Sequence, residues 1–205
     1  GTPYWPMAVA SAPSAQPLLT APVLPMLWRL AVPNMVAMVG SAVAAIAETA
    51  YVGQLGVSAL AGMALVFPLL MLQQMFSGGA MGGGIASLVS RALGARDVAR
   101  AEALVVHALG IAVVAGLLTT ALMLTFSDAV FGLLGGRGEP LAQAVAYAHV
   151  AFLGSTGVWL LNTLSAVLRA TGNMLVPSAI LIAVGLTQVA LAGVFGLGAG
   201  PIPRL

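Results

Sequence analysis

The chain has no cysteine and no lysine, and only 6% of its 205 residues are charged. Without thiols, disulfides and thiol chemistry are excluded. All seven basic residues are arginine, dispersed rather than gathered into a stripe, so the net charge of +2 does not point to a nucleic-acid partner. Scarce charge accompanies 60% hydrophobic residues and a mean hydropathy of +1.08, far outside the range of soluble globular domains. This is the composition of a membrane protein.

What charge there is stands at informative places. Of the five acidic residues, only Glu48 lies inside a membrane-length apolar run, Leu27 to Val52. Asn34, Ser41 and Glu48 recur every seventh residue, which puts them close to one face of a helix, widened by Ala37, Ala44 and Tyr51. The opposite face, Val36, Val39, Val43 and Ile46, is aliphatic and suited to lipid. A carboxylate at the centre of a membrane helix costs about 2.5–3.5 kcal/mol on insertion scales unless it faces protein or water. Glu48 is therefore read as functional rather than as an acid that merely caps a helix end.

Four further helices are expected. Ala59 to Ser90 is one, kinked at Pro68 and preceded by a turn at Gly53 and Gly56 from which Ser58 can cap it. Gln73, Ser77, Ala80, Gly84 and Ser87 keep helical spacing and predict a small polar side. The run Gly78 to Gly84 lacks the lysine and preceding strand of a phosphate loop and reads as a close helix-packing surface. The others are Glu102 to Phe126, Pro140 to about Leu168, and Leu175 to Leu197, with a Gly-rich loop, FSDAVFGLLGGRGEP, after the first of them. Ser155, Asn162 and Arg169 repeat the seven-residue spacing. Residues 1–25, rich in Pro, Ala and Ser and uncharged, predict a flexible leader without the basic start of a secretory signal.

Arginine asymmetry sets the topology. A cytoplasmic N-terminus places Arg29, Arg91, Arg96, Arg100 and Arg169 inside and leaves Arg137 and Arg204 outside. His107 and His149 have no second His or acid at ligand spacing and are read as interfacial hydrogen-bonding groups, so no metal site and no cofactor are expected. Tyr147 and Trp159 are read as packing or interface anchors, and the ten scattered methionines as adaptable packing rather than copper ligands. Ser155 in LGSTG lacks both a nucleophile elbow and a partner histidine, which argues against an intramembrane hydrolase and against an enzyme altogether.

Three motifs carry a family resemblance. They are Pro33 followed by ETAYVGQLG from Glu48 and ALAG from Ala59; RALGARD from Arg91; and LRATGN from Leu168 with Pro177. In this order and spacing the chain resembles the multidrug and toxic compound extrusion (MATE) transporters. The resemblance implies an all-α polytopic bundle, about five transmembrane helices of a six-helix lobe, with residues 26–205 as an incomplete amino-terminal lobe of a twelve-helix protein. It also implies a cell-membrane antiporter, in the bacterial inner membrane, exporting organic and often cationic small molecules in exchange for protons or sodium ions. Its partners would be substrate, membrane lipid and the carboxy-terminal lobe.

The family's first-helix acid, implicated in cation coupling, falls on Glu48. Where the family often has an Asn and an Asp in its fifth helix, this chain has Gln188 and Ala192, which favours H+ over Na+ as the coupling ion. Asn34, Ser41, Tyr51, Gln73, Ser77, Asn162 and Gln188 are the candidates to line the cavity. Two alternatives stay open: a lipid-linked saccharide flippase, which would be expected to carry several inward Arg or Lys, and a half-transporter that pairs with another chain.

Overall fold

The computed structural model describes residues 22–197, and among them every regular element is a helix. They are α1 (Val23–Gln54), α2 (Val57–Gln74), a π-helical segment (Met75–Met81), α3 (Gly82–Gly94), α4 (Val98–Leu133), α5 (Gly138–Leu153), α6 (Ser155–Ala170) and α7 (Leu175–Leu197). Three spans are long and apolar enough to cross a membrane: Ala31–Gln54, Val57–Gly94 and Val98–Leu133. The pair α5 and α6, bent by 47°, makes a fourth if it crosses as one, and α7 is a further apolar helix. Val36, Val39, Val43 and Ile46 are all more than half exposed on α1, as expected of a lipid-facing side.

Packing follows the small residues. Ala37 and Ala44 are buried on α1, which lies along α7, where Gly185 brings the backbone up to the Ala44 methyl. Gly62 of α2 meets the α5 backbone at Ala144, and Gly116 of α4 meets Thr156 of α6. A methyl group at either glycine would come within 2.9 Å of the neighbouring helix, too close for a real contact. Two apolar clusters occupy opposite ends of α4. One joins Val66, Met123, Phe131, Ala144, Ala148 and Phe152; the other joins Ile85, Val89, Ala92, Ala101, Ala108 and Ala166.

Several expected boundaries move. Helix α1 begins at Val23, inside the segment read as leader; residues 1–21 and 198–205 lie outside the described residues, as does the side chain of Ala192. Ser58 does not cap α2, because Gly56 holds the N-cap position with φ +114° and no side-chain bond. Ser127 to Leu133, expected in a loop, continues α4, and the expected single helix from Pro140 is broken at Gly154. Pro68 lies inside an unbroken α2; the irregularity comes seven residues later, in the π-helical turns.

Those turns change which side of the polypeptide is buried. The Gly82 N–H reaches back five residues to the Ser77 carbonyl, so the helix is one residue out of α register beyond that point. Gln73 and Ser77 are buried, but the next buried positions are Gly82, Ile85, Val89 and Ala92. The expected continuation Ala80, Gly84 and Ser87 is exposed.

Candidate functional site

Glu48 sits one helical turn past Ala44 and faces a cavity of about 430 Å³ between α1, α2, α5, α6 and α7. Ser41, Ala44, Ala45, Glu48 and Thr49 line it from α1, spaced as neighbours on one helix face. The small residues leave the carboxylate room, and the two hydroxyls turn back onto their own helix. Ser41 donates to the Ala37 carbonyl at 2.9 Å and Thr49 to the Ala45 carbonyl at 2.8 Å.

The carboxylate is held from both sides. Tyr147 Oη on α5 donates to Oε1 at 2.9 Å, and Gln188 Nε2 on α7 donates to Oε2 at 2.7 Å. An ionised carboxylate only accepts, so this geometry suits the anion. Once protonated, one oxygen becomes a donor, and the phenol or the amide must reorient. A proton at Glu48 therefore alters a contact that joins three helices.

A second polar network forms the floor. Asn162 Nδ2 on α6 donates to Ser77 Oγ at 2.8 Å and to Gln74 Oε1 at 3.2 Å, while Ser77 Oγ donates to the Gln73 carbonyl at 2.8 Å. Ser155, fully buried, donates to Gln73 Oε1 at 2.9 Å. This gives the serine a structural bond to a glutamine rather than a base. Buried amides and hydroxyls in a membrane bundle need such partners, at about 0.6–1.7 kcal/mol per pair.

Of the residues expected to line the cavity, Ser41, Gln73, Asn162 and Gln188 do so together with Glu48. Ser77 lies beneath the surface under Asn162, and Tyr51 is half-buried away from the lining. Asn34 lines a different cavity of about 580 Å³, which it shares with Arg169. Tyr147, expected to serve as a packing anchor, is a partner of Glu48 instead, and Gln74 joins the lining unanticipated. His149 pairs with the buried Ser127 at 3.0 Å, linking α5 to α4, and His107 donates from Nδ1 to the Ala103 carbonyl at 2.7 Å. Among the described residues no three His, Cys, Asp or Glu side chains gather as metal ligands.

The MatE family model matches residues 33–194, nearly all of the described bundle. The chain belongs to the MatE family. MATE relatives include the FAD transporter of Shewanella oneidensis, 27% identical over 188 residues, which cover 92% of this chain and 41% of that protein. The multidrug export protein MepA of Staphylococcus aureus is 29% identical over 157 residues, 76% of this chain and 35% of MepA. A solved multidrug resistance MATE family transporter of the MOP superfamily, in an outward-facing conformation, superposes with a TM-score of 0.78 at 28% identity, covering 85% of this chain and 39% of that one. This MATE chain thus spans about two fifths of the length of these relatives. Its all-helical, multi-pass membrane architecture is that of the family.

Proposed function

We propose that this chain forms the amino-terminal part of a proton-coupled antiporter that exports organic, often cationic, small molecules across a bacterial cell membrane. One observation carries the reading: Glu48, the acid inside the first span, lies on the wall of a largely apolar cavity and is held by donors from two other helices. Its volume of about 430 Å³ lies within the roughly 300–1,000 Å³ of small-molecule sites. Phe67, Met63 and Met71 give it the adaptable apolar lining that varied organic cations require. Multidrug export by the relative MepA supports the same substrate class.

Protons fit this site better than sodium. Sodium is a hard cation that needs several oxygen ligands, and Glu48 is the only carboxylate lining the cavity among the described residues. A proton needs one carboxylate whose hydrogen bonds differ between its two states. Loading would then bias how α1 and α7 sit against α5, and the conformation that releases the proton inside would bind cargo. The test is export by the complete transporter from proteoliposomes, driven separately by a pH gradient and by a sodium gradient, before and after Glu48→Gln. Export is expected with the pH gradient alone, and its loss in Glu48→Gln. Sodium-dependent export, or pH-driven export unaffected by the substitution, overturns the proposal.

A further inference from the structure

The second cavity, of about 580 Å³, is lined by Arg169, Asn34, Ser87 and Ser90 with the Cβ-free backbone of Gly82 and Gly83. Arg169 stands half-buried in the last turn of α6, where an arginine would ordinarily be explained as a partner for the last helix carbonyls. The guanidinium makes no such bond here, and the nearest carbonyls are already engaged. The Leu168 carbonyl accepts from the Asn173 N–H, the Thr171 N–H and the Thr171 hydroxyl, and the Arg169 carbonyl accepts from the Gly172 N–H. Among the described residues no carboxylate lines this cavity, and none offsets the partial desolvation of the guanidinium. A guanidinium has five N–H donors and accepts nothing, so a half-buried one calls for acceptors from elsewhere.

The rest of the lining also donates. The Asn34 amide reaches only the Met38 sulfur, at 3.9 Å, which leaves its N–H groups to spare. Ser90 turns its hydroxyl to the Ser87 carbonyl at 3.1 Å, while Ser87 itself is exposed and lines the cavity. A methyl at Gly83 would meet nothing within 4 Å, so the wall on that side is open. Asn34 precedes Glu48 by 14 residues on α1, about 21 Å along the helix. The donor-rich cavity and the acidic cavity therefore occupy opposite halves of the bundle. The Gln74–Asn162 pair stands between them, one helical turn from Gly78 on the far side.

We infer that this cavity is a binding site for a phosphate-type oxyanion, gripped in two-pronged fashion by Arg169 and completed by Asn34 and Ser87. The oxyanion is either the phosphate of an organic solute or that of an anionic lipid headgroup. Arginine suits it because its planar fork matches two phosphate oxygens at once, and the open glycine wall admits the group the phosphate is attached to. This site does not depend on the coupling role of Glu48.

The test is equilibrium binding with no ion gradient. Phenyl phosphate would be titrated calorimetrically into the purified protein in maltoside micelles, which contain no phosphate. Retention of phosphatidylglycerol over phosphatidylcholine would be followed by native mass spectrometry. Saturable phenyl phosphate binding, at least tenfold weaker in Arg169→Gln, partly kept in Arg169→Lys and unchanged in Glu48→Gln, establishes the solute as a source. Phosphatidylglycerol retention with the same dependence establishes the lipid. Ser87→Asp keeps Arg169 but sets a carboxylate beside it, and it should abolish either form of binding even if Arg169→Gln fails to fold. Absence of both kinds of binding in the wild type, or binding indifferent to Arg169 and to Ser87→Asp, overturns the inference.

Discussion

Glu48 is held at both oxygens by side chains from different helices, so its reach matters as much as its charge. Glu48→Asp keeps the acid but withdraws it by one methylene, so it cannot meet Tyr147 and Gln188 together. Initial export rates should fall while the dependence on the proton gradient remains. Tyr147→Phe keeps the ring and removes one donor; hydrogen bonds to charged groups contribute about 1.5–3 kcal/mol, so coupled export should drop roughly tenfold or more. Wild-type rates in Tyr147→Phe would show the contact to be incidental. Glu48 could be read from the sequence because an acid in an apolar run is conspicuous. Tyr147 could not, because a tyrosine ring in a membrane helix looks the same whether it packs, anchors at the interface or donates to an acid 99 residues away. The helix end near Arg169 is legible in the sequence, but which carbonyls the following loop satisfies is not.

At the scale of the element, the glycine-rich passage between α2 and α3 sets the orientation of everything after it. Helical spacing extrapolated from Gln73 and Ser77 fails at Ala80 because the π-helical turns absorb one extra residue. Such turns have no sequence signature beyond a run of glycines, which also suits a straight packing helix. Deleting Gly79 should remove that extra residue and leave α3 facing as it does, whereas adding one alanine after Gly79 should rotate α3 by about 100° relative to α2. With that insertion Ile85, Val89 and Ala92 would leave their contacts with Ala101 and Ala108, and thermal unfolding in detergent should show a strongly destabilised protein. The crossing of α4 and α6 offers a finer contrast. A methyl at Gly116 would press on Thr156, with its hydroxyl 2.9 Å away, whereas one at Gly110 meets nothing within 4 Å. Gly116→Ala should cost about 1–3 kcal/mol and Gly110→Ala close to none, because overpacking is felt only where backbones touch. A second test lies at the end of α3. Arg96 has φ +61° and occupies the left-handed position that Gly135 and Gly172 fill at the ends of α4 and α6. Relief of that strain predicts that Arg96→Gly stabilises by up to about 1 kcal/mol.

For the whole molecule, orientation in the membrane follows from the way the spans alternate. The turns at 55–56 and 134–137 lie at one end of the bundle, and those at 95–97 and 171–174 lie at the other. Arg91, Arg96, Arg100 and Arg169 gather at the second end, while among the described residues Arg137 is the one arginine at the first. Positive residues in short loops are retained on the cytoplasmic side, and this rule predicts the Arg169 cavity inside and the Glu48 half of the bundle toward the exterior. That arrangement suits an exporter loaded with protons from outside, because the acid then lies nearer the compartment that supplies them. The absence of cysteine makes a direct test simple, and substitutions next to the arginines leave the topogenic charges in place. Ala95→Cys and Glu139→Cys, each exposed and each the single thiol of this chain, would be treated in intact cells with a membrane-impermeant maleimide. Position 139 should label at once and position 95 only after permeabilisation. The reverse pattern would invert the bundle, moving Glu48 toward the cytoplasm and removing the support that topology gives to proton loading from outside.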